Sequence, residues 1–310
     1  MAAGTAAIPL GALDKELGPP QDRAGFAWSS SALLALPVGF LFLLFVGPIF
    51  YALYLGFTNL QLIGPHAQSW QFTGTANLDR LVHDNIFLTS VKLTVIFVVG
   101  SGIIGQTLVG LILALLLRRS LAVIRISVGM LVIAAWVIPE VAAALIWYAF
   151  SQAGGTLGLV LGDPHKNFLF SAPMATISVA NLWRGAAFSM LVFGAALRNV
   201  PGEVLESAEM EGASAWRRLW SITLPMIRPT IITNLLLVTI LNLSDFTLIY
   251  TMTQGGPGNS TMTLPIYIYQ EAFNYYQLGY GTTIALALVL VGAILALLFV
   301  RAVRTGEQRA

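Results

Sequence analysis

The 310-residue chain is 57% hydrophobic and only 10% charged, whereas ordinary soluble domains carry about 25% charged residues. Too few polar groups are available to cover a soluble globule, so the composition excludes that class and points to a surface that faces lipid. A net charge of +2 gives nucleic-acid binding no support, and the absence of cysteine excludes a disulfide framework or a thiolate metal site. His66, His83 and His165 have no second ligand at helical spacing, so no metal site is expected.

Residues 1–28 hold Gly18-Pro19-Pro20 among small residues without apolar periodicity, and read as a disordered tail. The apolar run at 31–56 is longer than a signal-peptide core and long enough to cross about 30 Å of hydrocarbon. Pro37 and Pro48 fall inside it, as lipid-spanning helices tolerate. Further runs lie at 88–117, 126–150, 173–197, 230–250 and 282–303. In the second run, Gly100, Gly102, Gly105 and Gly110 fit close helix approach better than ligand binding. The pattern predicts an all-α polytopic membrane protein with six transmembrane helices, a transmembrane domain at 29–305 and a short tail at 306–310. With both termini in the cytoplasm, all of the 16 basic residues except Arg80, Lys92, Lys166 and Arg184 fall in inner segments. The positive-inside rule therefore predicts cytoplasmic termini, with outer loops at about 57–87, 151–172 and 251–281. No internal repeat of the kind seen in many secondary transporters is visible.

The inner loop 198–229, between the fourth and fifth spans, reads as a helix–turn–helix. Glu203, Glu206, Glu209 and Glu211 suit the start of a first helix, Gly212 its end, and Leu224-Pro225 the end of a second. Trp216, Leu219, Trp220 and Thr223 share one helical face. Two readings stay open on physical grounds: a hairpin lying on the lipid headgroups, or a docking element for a cytoplasmic partner.

The loop carries Glu206-Ser207-Ala208, three residues, Gly212, nine residues, Ile222, and then Leu224-Pro225. This resembles the coupling loop of binding-protein-dependent ABC importer permeases, with Ser207 in place of the family's second alanine. A second stretch, Asp245-Phe246-Thr247 through Gly255-Gly256-Pro257 to Tyr267-Ile268-Tyr269 and Ala272-Phe273, resembles carbohydrate permeases of the maltose, trehalose and glycerol-3-phosphate type, first of two non-identical permeases. The likeness covers about 30–303; Gly154-Gly155-Thr156-Leu157-Gly158 departs from it by lacking an asparagine that many relatives carry. The resemblance implies a second homologous permease, two copies of an ATPase subunit that bind ATP and Mg, an extracytoplasmic solute-binding protein, and a cell-membrane location. The chain has no Gly-x-x-x-x-Gly-Lys-Ser/Thr loop, so no bound cofactor and no catalytic site of its own are expected; Gly255-Gly256-Pro257-Gly258 reads as a turn.

Glu140, Arg184 and Asp245 are ionisable residues inside apolar runs, where isolated charge costs several kcal/mol. They either form a mutual ion pair that locks the bundle or line a solute pathway. On one helix, Asn234, Val238, Leu241, Asn242, Asp245 and Ile249 would share a face, and amides and carboxylates match sugar hydroxyls. By the resemblance, the pathway residues are Arg184, Gly185, Phe188, Leu241, Asn242 and Asp245. An ion-gradient-driven transporter using Glu140 and Asp245 is the alternative; a membrane enzyme has no catalytic constellation behind it.

Overall fold

The computed structural model describes residues 23–307. The two expected tails lie mostly outside these residues; positions 23–28 belong to the first helix, and the last helix runs to Glu307. Helix α1 (Arg23–Leu55) forms a compact unit of its own up to Tyr54, and the chain from Leu55 onward forms a second unit.

In the second unit, α2 (Ala76–His83) leads into the long helix α3 (Asn85–Arg119). Helices α4 (Ala122–Val137), α5 (Glu140–Ser151), α6 (Thr156–Val160) and α7 (Phe168–Ser171) follow, then the long α8 (Pro173–Arg198). Helix α9 (Gly202–Met210), α10 (Ala215–Met226), α11 (Arg228–Leu243), α12 (Thr247–Thr253), α13 (Leu264–Tyr269) and α14 (Leu278–Glu307) complete it. Among the described residues the only β-pairing is an isolated bridge between Thr58 and Phe72.

Among the described residues, four helices are long and apolar enough to cross a membrane: Pro37–Leu55, Asn85–Arg119, Pro173–Arg198 and Leu278–Phe299. The number rises to six if each of two bent pairs counts as one span. In the first pair α4 and α5 meet at 101°, and in the second α10 and α11 meet at 69°. The run 126–150 is therefore not the continuous helix expected from its apolarity. Pro139 removes a backbone donor and forces Ile138 to an extended ψ of 129°, so α4 ends and Glu140 opens a new helix. The run 230–250 is likewise split. The Asn242 and Ser244 side chains bond back to Val238 O and Ile240 O, competing with the helix, and α11 stops at Leu243 before α12 begins at Thr247.

Helix α3 lies along α8 and α11, and α14 lies along α11. Glycine sets the α3–α8 distance. A Cβ on Gly110 would fall 2.4 Å from that of Ser189, and one on Gly105 would fall 2.5 Å from Leu182 Cδ1. Gly100 faces open space and has no such role. One core cluster gathers Phe97, Ile177, Leu248, Ile249, Ile266 and Ile284, and a second gathers Ala114, Phe193, Leu197 and Ile227.

A polar knot joins the start of α3 to the 264–280 segment. Asp84 accepts from Ile86 N at 2.8 Å and Phe87 N at 3.2 Å, capping α3, and also from the Tyr267 and Tyr280 hydroxyls. Burial pushes the Asp84 carboxyl up, but the bonds from Tyr267, Tyr280, Phe87 and Ile86 outweigh it and hold the group below its usual range. Beside it, Arg80 pairs with buried Glu271 at 3.3 Å and lies 3.7 Å over the Tyr280 ring.

Candidate functional site

The two helix breaks meet at one place. A cavity of about 360 Å³ is lined by Trp136 and Glu140 from the α4–α5 bend, Arg184, Gly185 and Phe188 from α8, Leu241 and Asn242 from α11, and Asp245 and Phe246 from the break before α12. All six expected pathway residues line this single cavity. Arg184 Nη1 lies 3.3 Å from Glu140 Oε1, so Arg184 pairs with Glu140, which sits in the first turn of α5 where negative charge suits the helix end. Asp245 Oδ1 is buried with no hydrogen-bond partner. Trp136 and Phe188 touch at the cavity edge with ring centroids 6.1 Å apart. Phe246 stacks on Tyr250 at 4.9 Å, and Tyr269 joins both at 5.1 and 5.0 Å.

The polar face expected on a continuous fifth span divides in three. Asn234, Val238 and Asn242 turn into the protein, with Asn234 fully buried, while Leu241 is 62% exposed. Ile249 lies beyond the break, in the core. Asn234 Nδ2 donates to Ser189 Oγ at 3.1 Å. Asn242 Nδ2 donates to Val238 O at 2.7 Å, and its Oδ1 accepts from Gln106 Nε2 at 3.3 Å and from Asn181 Nδ2. Asn181 Nδ2 also reaches Ser101 Oγ at 2.7 Å. The network behind the cavity thus centres on Gln106 and Asn181, which the sequence reading passed over. Their signal was present: Gln106 is an amide inside an apolar run, and Asn181 lies one turn before Arg184. Gly185 serves this network, because a Cβ there would sit 2.2 Å from Gln106 Cδ.

The second candidate site is the hairpin of α9 and α10. Ala213 N donates to Ala208 O at 2.9 Å and Gly212 N to Glu209 O at 2.9 Å, closing α9 over Gly212, whose φ of +83° favours glycine. Ser214 Oγ then caps α10, accepting from Arg217 N at 3.3 Å. An ion pair of 2.7 Å between Arg218 and Glu209 holds the two helices together. Glu206 and Ser207 are exposed and Ala208, Ile222 and Leu224 half-buried. Trp216 and Trp220 stand side by side, ring centroids 5.6 Å apart and 69% and 55% exposed, with Met210 90% exposed nearby in sequence. Thr223 is buried, so the expected four-residue face separates into an outward tryptophan pair and an inward end. Leu224-Pro225 does not end the helix, which continues to Met226. The π-helical turn Leu219–Thr223 widens the backbone just before Pro225, where an α-helical carbonyl would meet the ring; the break falls at Ile227.

Among the described residues no group of histidine and carboxylate side chains is placed to hold a metal. A helical chain with apolar membrane-length helices, a charged cavity at two broken helices and no phosphate-binding loop in its sequence is a membrane transport subunit. It belongs to the family described as binding-protein-dependent transport system inner membrane component, whose profile matches residues 106–308. It is a permease subunit rather than an enzyme. It is 30% identical to the sulfoquinovosyl glycerol transport system permease protein SmoG of Agrobacterium fabrum, covering 89% of this chain and 91% of that one. It is 30% identical to the trehalose transport system permease protein SugA of Mycobacterium tuberculosis, covering 82% and 81%. The fold resembles a chain of the bacterial alginate ABC transporter in complex with an alginate-bound periplasmic protein. The TM-score is 0.72 at 22% identity, over 90% of this chain and 96% of that one.

Proposed function

We propose that this chain is one of two permeases of an ATP-driven carbohydrate importer. It crosses the membrane six times, with α4–α5 and α11–α12 each forming one broken span, both termini in the cytoplasm and a 29–305 permease domain. The cytoplasmic hairpin, with Glu206, Ser207, Ala208, Gly212, Ile222, Leu224 and Pro225, couples it to an ATPase subunit. Two ATPase copies bind ATP and Mg, a second homologous permease completes the pathway, and an extracytoplasmic binding protein delivers the solute. Membership of the binding-protein-dependent family favours this reading over ion-gradient-driven transport.

The observation that carries the pathway assignment is the cavity at the two helix breaks, with Asp245 Oδ1 buried and unpartnered beside it. A buried acceptor without a donor is costly, and a sugar hydroxyl supplies the donor. Broken helices at depth are tolerated where they line a cavity. The Phe246–Tyr250–Tyr269 aromatics nearby offer ring faces for the apolar faces of sugar rings. The test is solute-stimulated ATP hydrolysis by the four-subunit-type complex with its binding protein. Asp245→Leu is expected to abolish stimulation while the complex still assembles; unchanged stimulation would remove Asp245 from the pathway.

A further inference from the structure

A second cavity, of about 490 Å³, opens where the end of α3, the start of α4 and the end of α8 converge. Its walls are almost wholly apolar, with Ile126, Met130, Ile133 and Leu191 among them. Its polar lining comes from three guanidiniums, Arg118, Arg125 and Arg198, one from each helix. All three are exposed, and none forms an ion pair among the described residues. An apolar groove rimmed by unpaired cations matches a molecule with an anionic head and hydrocarbon tails.

Two glycines define the groove further. Gly129 on α4 and Gly194 on α8 both line it, and a Cβ built on either meets nothing within 4 Å. This is the reverse of Gly105, Gly110 and Gly185, where a Cβ would collide with a neighbouring helix or side chain. Helix contact therefore does not require glycine at 129 or 194. What the two glycines leave is open space between helices at the level where an acyl chain would enter.

We infer that this groove holds an anionic phospholipid of the inner leaflet, its phosphate between Arg118, Arg125 and Arg198 and an acyl chain along Gly129, Ile133 and Gly194. The assignment rests on the orientation proposed above, which places the ends of α3 and α8 at the cytoplasmic headgroups. Basic pockets between membrane helices on that side suit such headgroups, whose attraction to each arginine is about a tenfold effect or less. A free phosphate would use the arginines but leave the apolar walls without an occupant.

The test uses the intact transporter complex in nanodiscs of phosphatidylcholine with a minor fraction of phosphatidylglycerol, and reads the lipid retained after purification by mass spectrometry. The wild-type complex is expected to retain phosphatidylglycerol in preference to phosphatidylcholine. Arg118→Gln, Arg125→Gln and Arg198→Gln together should weaken that preference by on the order of a hundredfold. Gly129→Leu with Gly194→Leu fills the groove where space is open and leaves the arginines in place; it should expel the lipid while the complex assembles. Arg228→Gln, an exposed arginine outside the groove, should retain it. Equal phosphatidylglycerol retention by wild type and both groove variants would overturn the assignment. So would displacement of the lipid by excess inorganic phosphate. Loss of complex assembly in the double leucine variant would also overturn it, because the groove would then hold a protein. Lipid retention is read without transport, so its failure is separate from failure of the carbohydrate reading.

Discussion

Arg184 satisfies Glu140 at 3.3 Å and leaves Asp245 Oδ1 without a partner, so the three charges at the cavity are unequal. Arg184→Leu should strand Glu140 and lower the yield of assembled complex on size exclusion. The cost is below the 3–5 kcal/mol of a fully buried pair, because both side chains keep some water contact. Arg184→Leu with Glu140→Leu should regain that yield, whereas Arg184→Leu with Asp245→Leu should not. Recovery by the second double variant instead would show that Asp245 is the true partner. Asn242→Leu should differ from Asp245→Leu in kind. It removes the acceptor that the Gln106 and Asn181 amides share, so it should cost about 1–3 kcal/mol of thermal stability as well as transport. The three charges and Asn242 were visible in the sequence because polar groups stand out in apolar runs. A mutual pair among the charges was one open alternative, but which carboxylate faces Arg184 and which amides meet Asn242 were not visible, because Pro139 turns Glu140 onto a new helix and the amide network joins residues 61 and 136 positions apart.

Two elements show how far local chemistry reads ahead of packing. The hairpin's turn follows from Gly212, whose φ of +83° is the conformation a helix-ending glycine commonly takes. Gly212→Val should strain that turn by about 1–2 kcal/mol and uncouple ATP hydrolysis from solute, with membrane insertion unchanged. Gly212→Asn should retain coupling, since asparagine tolerates positive φ. Solute-stimulated hydrolysis by the assembled complex distinguishes the two, and full coupling in Gly212→Val would detach the turn from the role given to it. The helix's passage through Pro225 was not legible, because the π-helical turn that accommodates it has no sequence signature of its own. The Asp84 knot was equally hidden, since its tyrosines come from residues 267 and 280. Asp84 is held below its usual carboxylate range, so its stabilising contribution is present above about pH 4 and lost as pH falls through the depressed value. Thermal unfolding in detergent should show that acid loss in the wild type and not in Asp84→Asn.

At the scale of the molecule, hydropathy located the apolar runs, yet the run at 126–150 is an angled pair and the run at 230–250 is broken between Leu243 and Thr247. Apolarity reports burial in lipid or protein and is blind to direction, so a 101° bend leaves no trace beyond its proline. The break at Pro139 and the break between α11 and α12 bring the cavity residues together. The chain alone is expected to bind no nucleotide with saturation, because it lacks a phosphate loop. Solute movement through this permease is proposed to be driven by ATP on its partners. This is tested most directly by uptake into proteoliposomes holding the whole complex and its binding protein, with no ion gradient imposed. Uptake that requires ATP on the ATPase side and stops with vanadate is the predicted result. Uptake driven by a proton or sodium gradient in the absence of ATP would show instead that the chain is an ion-coupled transporter.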